Sequence, residues 1–198
     1  GRTGTMGILS FNGNKIITTG GGGAIITDDV NLAERGKHMT TTAKVPHPWC
    51  FVHDEVGFNY RLTNLQAAVG CAQMEQLEQF VARKREIHTR YTEMAEEIGG
   101  INPFPAPGWA ESACWFSGVV LDVRLDPDNV LAGLQERGIG ARPFWKPVHM
   151  QAPYRNDPQA IMDVSEGIWR RIVTLPCSTS ITEDEIKHVM DSVGELIQ

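Results

Sequence analysis

The chain has 198 residues, of which 41% are hydrophobic and 21% charged, an ordinary composition for a globular protein. Its net charge of −6 excludes a global basic field that would recruit nucleic acid or an anionic membrane surface. No apolar run approaches the roughly 20 residues of a membrane-spanning helix, and the first residues do not follow the pattern of a signal peptide. We therefore expect a cytoplasmic protein that binds neither nucleic acid nor membrane.

The first part of the chain is predicted to form two short strands and a short helix. Apolar residues at 6–10 and 24–27 are typical of buried strands. Between them lies a turn-forming Asn-Gly pair. Asp28 or Asp29 can cap a helix that continues to Arg35.

A loop and one long helix follow. Residues 40–51 are rich in threonine and proline and are predicted to be irregular. From residue 63 to residue 98, apolar side chains recur at steps of three and four with charges on the other face, which predicts a single helix. Lys84 interrupts its apolar stripe. The glycine pair at 99–100 is expected to stop the helix.

The last hundred residues predict a small α/β unit. A nearly continuous apolar run at 114–123 indicates a strand, and Asp126 followed by proline is a good start for the next helix. A second strand is predicted at 139–145, and a helical segment at 159–171 after an irregular stretch. Thr182 and the acidic residues after it form a capping box for a final amphipathic helix.

The sequence contains four cysteines, which lie far apart and form no C-x-x-C pair: Cys50, Cys71, Cys114 and Cys177. A chain of this size does not need disulfides, so reduced thiols are expected. His47, Cys50 and His53 follow one another in steps of three, which suggests a metal site. Because Pro46 and Pro48 make this segment an irregular loop and zinc needs three or four ligands on a rigid scaffold, we predict no metal site.

One isolated lysine carries the strongest chemical signal. Lys15 stands five residues after Ser10 and directly after the turn around Asn12 and Gly13, with no acid or second base within four residues. Such an amine can form a Schiff base with pyridoxal phosphate (PLP), because a desolvated lysine away from carboxylates is more easily neutral. The Ser10 hydroxyl could donate to the cofactor phosphate, and the glycines at 20–23 would let backbone pass close to a ligand. On the residues alone, a solvated hairpin lysine is the alternative.

Four segments together resemble the DegT–StrS family of nucleotide-sugar aminotransferases: SFNGNKIITTGGGG at 10–23, HDEVGFNYRLTNLQAA at 53–68, GIGARPFWKPVH at 138–149 and LPCS at 175–178. They occur in family order. The lysine segment is similar to the branch that aminates UDP-linked 4-keto-6-deoxy-N-acetylhexosamines for bacillosamine- and legionaminic-type sugars. The resemblance implies PLP-dependent transfer of an amino group, with glutamate as the expected donor, to the C4 keto group of such a sugar in surface-glycan biosynthesis.

The resemblance also implies an architecture. The expected fold class is α/β, fold type I of the PLP-dependent transferases (aspartate aminotransferase-like). Residues 1–75 would be the C-terminal part of the large PLP-binding domain, and residues 76–198 the linking helix and the small C-terminal domain. Family members run to about twice this length with the lysine near the middle, and this chain starts at Gly1, so we expect a C-terminal half. The other half would supply the acid at the pyridine nitrogen, the ring-stacking aromatic and part of the phosphate cup.

Site residues follow from the same resemblance. Lys15 would be the catalytic residue that holds PLP and moves protons, and Ser10 would contact the phosphate. Asn59 would reach the PLP phosphate of the neighbouring subunit, which makes the expected homodimer share its active sites; on sequence alone, a capping asparagine is the alternative. Arg61 suits a phosphate or carboxylate, because its guanidinium binds oxyanions bidentately; on sequence alone, an ordinary surface arginine is the alternative.

A second group is expected to bind the nucleotide sugar. Arg142, Trp145, Lys146 and His149 place cations and an aromatic ring within eight residues, which suits a pyrophosphate and a sugar. An edge strand with ordinary exposed charges is the alternative. Two other functions stay open: a PLP sugar dehydratase of the same fold, in which histidine replaces the lysine and against which Lys15 argues, and a non-catalytic domain that keeps the fold for assembly or ligand binding.

Overall fold

The computed structural model of the chain describes residues 3–197. The chain divides into two compact units, Gly1–Glu78 and Gln79–Gln198. Within residues 3–197, no helix combines the length and apolar character needed to cross a membrane. The assignment of residues 1–75 and 76–198 to the two domains of a PLP enzyme stays a prediction.

The first unit begins with an antiparallel hairpin. Strand β1 (Gly7–Ser10) pairs with β2 (Gly23–Ile26), with Gly7 opposite Ile26 and Ser10 opposite Gly23. The two strands were expected to be buried, which is wrong: Ile8 is 70% exposed and Ile25 is 51% exposed. The apolar residues predicted a covered sheet, but the described residues of this unit form a sheet of two strands, so much of its apolar surface stays exposed.

Helix α1 (Val30–Thr40) begins where predicted but ends later. Asp29 caps it, because its carboxylate accepts from the Asn31 and Leu32 amides. The helix was expected to end at Arg35. It continues through Gly36, and the hydroxyl of Thr40 donates back to the Gly36 carbonyl at 2.8 Å.

The long helical segment is two helices rather than one. Helix α2 (Asn64–Met74) starts at a capping box formed by Thr63 and Gln66, and α3 (Leu77–Glu97) follows after a two-residue break. The apolar periodicity continues across this break, so the sequence predicted one helix. Lys84 does lie in the apolar stripe of α3. It is buried, and its ammonium donates to the Trp115 carbonyl at 3.0 Å and lies 3.5 Å from the Cys177 sulfur. These partners offset the cost of burying the charge.

The second unit contains a four-stranded antiparallel sheet in the order β3-β4-β6-β5. The strands are β3 (Ile101–Pro103), β4 (Ser117–Leu121), β5 (Arg142–Pro143) and β6 (Ile172–Leu175). Strands β3 and β6 were not predicted, and β4 and β5 are shorter than the apolar runs at 114–123 and 139–145. Cys114 has a φ of 49°, which keeps the start of the first run out of the sheet.

Three further helices complete this unit: α4 (Pro127–Glu136), α5 (Asp163–Ile168) and α6 (Glu183–Ile197). The predicted cap Asp126 accepts from the Asp128 amide, and Thr182 exchanges hydrogen bonds with Glu185, so both predicted starts are confirmed. Only the middle of the segment 159–171 is α-helical. The core gathers the apolar faces of the sheet, α3, α4 and α6. Among its described residues six apolar side chains are wholly buried: Ile87, Tyr91, Leu121, Leu134, Val173 and Ile186.

Candidate functional site

The predicted turn before Lys15 is present. The Lys15 amide donates to the Asn12 carbonyl at 3.0 Å, which closes a four-residue turn in the loop between β1 and β2. Ser10 is the last residue of β1, and its hydroxyl accepts from the Asn12 amide at 3.5 Å. Ser10 and Lys15 therefore lie at the two ends of one short, hydrogen-bonded segment, and Lys15 is half-buried while Ser10 is exposed.

Hydrogen bonds to helix α2 and to the start of the loop hold the segment that follows Lys15. The Thr18 amide donates to the Gln73 side chain of α2 at 3.2 Å, and the Thr18 hydroxyl donates to the Phe11 carbonyl at 3.0 Å. The Phe11 amide in turn donates to the Gly22 carbonyl at 3.0 Å. Because the loop is tied to both α2 and its own strands, the lysine is carried on an ordered support.

Two of the four glycines are required by packing within the protein. Gly22 has a φ of +90°, and a Cβ there would lie 2.6 Å from the Leu62 side chain. A Cβ on Gly23 would meet the Leu9 carbonyl across the hairpin. By contrast, a Cβ on Gly20 or Gly21 would meet nothing within 4 Å, so open space lies beside those two residues.

A second segment carries Asn59 and Arg61 and lies against the end of α1. The Phe58 amide donates to the Met39 carbonyl at 2.7 Å, and the Tyr60 amide donates to the Thr40 carbonyl at 3.1 Å. Asn59 forms a bridge with Thr41. These backbone bonds hold the exposed side chains of Asn59 and Arg61 at a defined position in the first unit.

Charged pairs hold the same segment further upstream. Arg35 of α1 bonds both carboxylate oxygens of Glu55, and the His38 imidazole lies 2.7 Å from Asp54. The hydrogen bond from His38 lowers the pKa of Asp54, and the hydrogen bond from Arg35 lowers the pKa of Glu55. Sequence reasoning missed this cluster. Its signal is the pair Arg35 and His38, three residues apart and hence on one face of a helix, with two adjacent acids later in the chain.

A groove of about 750 Å³ lies between the hairpin, α1 and the segment that carries Arg61. Two cations line it, Lys37 of α1 and Arg61, together with the backbone of Gly22 and Gly23. Guanidinium and ammonium groups bind phosphate and carboxylate well. The groove can therefore accept an anion, and Lys37 is a lining residue that the sequence analysis did not select.

In the second unit, Trp145 belongs to a cluster of aromatic rings. Its ring stacks on Trp115 at 5.6 Å between centroids and meets Phe116 edge-on at 4.9 Å. Trp145 remains 54% exposed, whereas Trp115 and Phe116 are half-buried and back it. Arg142 lies in β5 with its side chain exposed, and its carbonyl accepts from the Thr174 hydroxyl. A half-exposed indole close in sequence to an exposed guanidinium suits a flat ligand that carries negative charge.

His149 has a partner of its own. Its Nε2 lies 2.9 Å from the Glu166 carboxylate, and its side chain is only 12% exposed. It lines a cavity of about 340 Å³ together with Tyr154, Asp157 and Met162. An anion bound to His149 would compete with Glu166, so His149 is a less available cation than the sequence suggested.

The structure thus gathers the predicted residues into two groups. Ser10, Lys15, Asn59 and Arg61 lie in the first unit, and the residues predicted to bind the nucleotide sugar, at 142, 145 and 149, lie in the second. The two histidines of the segment 47–53 bond nearby backbone groups. His47 accepts from the Cys50 amide at 3.0 Å, and His53 contacts the Thr42 carbonyl at 2.7 Å. All four cysteines are free thiols.

One cluster outside that loop has the spacing of a metal site. His38, Asp54 and Glu55 offer three ligand atoms within 4.8 Å of one another. Arg35 already bonds both oxygens of Glu55 and neutralises its charge. The cluster is better explained as an ion-paired anchor than as a metal centre.

Comparison with known proteins gives a consistent result. A model of the DegT/DnrJ/EryC1/StrS aminotransferase family matches residues 1–194. EpsN of Bacillus subtilis (strain 168), whose name describes a pyridoxal phosphate-dependent aminotransferase, is 37% identical over 96% of this chain and 50% of its own length. GDP-perosamine synthase of Escherichia coli O157:H7 is 30% identical over 98% of this chain and 52% of its own. The aminotransferase TlmJ from Streptoalloteichus hindustanus superposes with a TM-score of 0.88 at 25% identity, over 99% of this chain and 53% of TlmJ. The chain spans about half the length of the relatives it matches.

Proposed function

Because the chain belongs to the DegT/DnrJ/EryC1/StrS aminotransferase family, we propose that the protein containing it transfers an amino group from glutamate to the C4 keto group of a nucleotide-linked 4-keto-6-deoxy sugar. The family match confirms the resemblance noted in the sequence, and with it the fold type I architecture and PLP as the cofactor of this family. One observation carries the proposal for this chain: Ser10 and Lys15 flank a closed turn in a loop that both strands and α2 support.

The residues present fit the phosphate and aldehyde ends of PLP. Ser10 offers a hydroxyl, and the Asn59 and Arg61 copies contributed by a second subunit would offer an amide and a guanidinium, which are groups that bind phosphate or carboxylate. Lys15 supplies the amine that would hold the cofactor covalently. PLP, when bound, supplies the electron sink that lets an amino group move between two substrates.

This chain's own residues would position the substrates and move protons. Lys15 Nζ would take the proton from the Cα of the amino donor and deliver one to C4 of the sugar. Ser10 would hold the cofactor phosphate, and Arg61 would orient an oxyanion at the groove. Backbone bonds that hold these segments before substrate arrives reduce the entropy lost on binding, which is how a rigid support raises the rate.

The sugar substrate is proposed to bind through the second unit. GDP-perosamine synthase, which matches 98% of this chain, has a nucleotide-linked sugar in its name. In this chain, Arg142 and Trp145 offer an exposed cation and a half-exposed indole close in sequence. We infer that Arg142 contacts the pyrophosphate, that Trp145 packs on a ring of the substrate, and that His149 assists once Glu166 is displaced.

The active site is proposed to be shared in a cytoplasmic homodimer. Asn59 and Arg61 lie on an ordered, exposed segment that a neighbouring subunit could reach. Inactive Lys15→Ala and Arg61→Ala chains of the intact protein should then partly complement when mixed, because one heterodimer site would keep both residues. If subunits exchange and no activity returns, the shared site is wrong.

The test of the function is turnover by the intact protein. Lys15→Ala should abolish amino transfer from glutamate to a nucleotide-linked 4-keto-6-deoxy sugar and leave the fold unchanged by circular dichroism. Lys187→Ala is the matched control, because Lys187 is an exposed lysine that pairs with Asp191 on α6. Retained turnover in Lys15→Ala would refute the assignment. Binding of substrate without turnover in the wild-type protein would favour a non-catalytic domain.

A further inference from the structure

The turn before Lys15 contains the sequence's single Asn-Gly step, Asn12-Gly13. Both residues are exposed. The Asn12 side-chain amide contacts only the neighbouring Asn14 side chain, at 3.2 Å, among the hydrogen bonds of residues 3–197. Water therefore reaches the Asn12 amide group from the side that the turn leaves open.

The geometry also leaves the next backbone amide available. The turn is closed by the Lys15 amide, and within the described part of the chain no hydrogen bond uses the Gly13 amide nitrogen. A Cβ built on Gly13 would meet nothing within 4 Å, so the space beside this residue is open. A backbone amide without a hydrogen bond next to an exposed asparagine favours cyclisation.

We propose that Asn12 is a site of spontaneous deamidation, a covalent modification that accumulates with time in the loop that carries Lys15. The Gly13 nitrogen loses its proton and attacks Asn12 Cγ, which forms an N–Cγ bond. The bond from Cγ to Nδ2 breaks, and ammonia leaves with that proton. Water then adds to either carbonyl of the resulting succinimide ring and opens it, which gives aspartate or isoaspartate at position 12. Water is the only co-reactant, and no oxidation occurs.

The product would change the site that the proposed function assigns to PLP, and this consequence rests on that function. Either product places a carboxylate near the Ser10 hydroxyl, because that hydroxyl accepts from the backbone amide of Asn12. A carboxylate there repels a phosphate held by Ser10. Isoaspartate also inserts a methylene into the backbone of the turn that positions Lys15. Deamidated protein should retain PLP less well than fresh protein.

The modification is tested by mass without any cofactor. The intact protein is incubated in mildly alkaline buffer, and peptide mapping follows the conversion of each asparagine to aspartate and isoaspartate. Asn12 should convert several-fold faster than Asn59, which is also exposed but is followed by Tyr60. Conversion at Asn12 no faster than at Asn59 would overturn the proposal, whatever the protein catalyses.

Two variants separate the chemistry from its consequence. Gly13→Ala should slow conversion at Asn12 through its added Cβ, and it should fold, because Gly13 has no positive φ and has open space around it. If Gly13→Ala ages like the wild-type protein, the proposed route is wrong. Asn12→Asp should lose PLP on dialysis faster than Asn12→Gln, which keeps an uncharged amide. Equal retention would overturn the link to the cofactor site and leave the deamidation result standing on its own.

Discussion

His38 Nε2 on helix α1 lies 2.7 Å from the Asp54 carboxylate, five residues before Asn59. Arg35, one turn earlier on the same helix, bonds Glu55. Together these pairs hold the segment that leads to Asn59 and Arg61 against α1. Each pair lies at the surface and contributes little to the free energy of unfolding, so its main effect is to position that segment.

We predict that this anchor fails in acid. The pKa of Asp54 lies below its ordinary value of 3.8 and that of Glu55 below 4.5, so their charged forms favour the anchored state. That contribution is present above the ordinary values and is lost as pH falls through the lowered ones. Hydrogen-exchange protection of the Phe58 and Tyr60 amides should drop in that range.

The variant Glu55→Gln should reduce the same protection already at neutral pH, because it removes the charge that Arg35 bonds. Lys187→Ala, which breaks a surface pair on α6, should leave it unchanged. Unaltered protection of Phe58 and Tyr60 in Glu55→Gln would show that the backbone bonds alone position the segment.

Two glycine substitutions in the first unit should have opposite effects. A Cβ on Gly57 would run into the backbone between Thr42 and Ala43, whereas a Cβ on Gly36 meets nothing within 4 Å. Gly57→Ala should therefore lower the free energy of unfolding by about 1–3 kcal/mol. Gly36→Ala, inside helix α1, should raise it by about 0.5–1 kcal/mol. Urea titration of the intact protein measures both, and equal effects of the two changes would contradict the packing described at Gly57.

His88 should make the second unit less stable in mild acid. Its Nδ1 is buried without a hydrogen-bond partner in the described part of the chain, and burial lowers the pKa of His88 below its ordinary value of 6.5. The unfolded chain then binds the proton first, so stability falls as pH drops through 6.5.

The variant His88→Phe, which keeps the edge-on ring contact with Phe104, should flatten that pH dependence of the unfolding midpoint. The comparison is made between about pH 7 and pH 5, across the ordinary histidine pKa. An unchanged pH dependence would mean that another group titrates in this range.

Local signals in the sequence predicted the helix starts and the lysine turn well. Asp29, Asp126 and Thr182 cap helices where expected, because capping depends on side chains within three residues of the helix start. Strand pairing depends on distant partners, which is why β6 was missed although it lies at the centre of the second unit's sheet. The break between α2 and α3 was hidden because the apolar period continues across it.

The candidate site was predictable only where one segment carries it. Ser10 ends β1 and Lys15 lies five residues later, so their closeness could be predicted from the sequence, whereas their roles came from the family resemblance. The partners of later residues could not be predicted. Nothing in the sequence near His149 indicates that its imidazole contacts Glu166, and nothing near Arg61 indicates that Lys37 lines the same groove. Those relations arise from tertiary packing, which residue spacing does not encode.

The proposed chemistry requires that PLP attach to Lys15, and reductive mapping tests this directly. The intact protein is incubated with PLP, reduced with borohydride and digested, and the peptides are sequenced by mass spectrometry. We predict that the cofactor's mass is found on Lys15 and that Lys15→Arg, which keeps the positive charge, loses the adduct while Lys187→Arg keeps it. An adduct on another lysine, or none on Lys15 in protein that retains its fold, would contradict the assignment of Lys15 as the cofactor lysine.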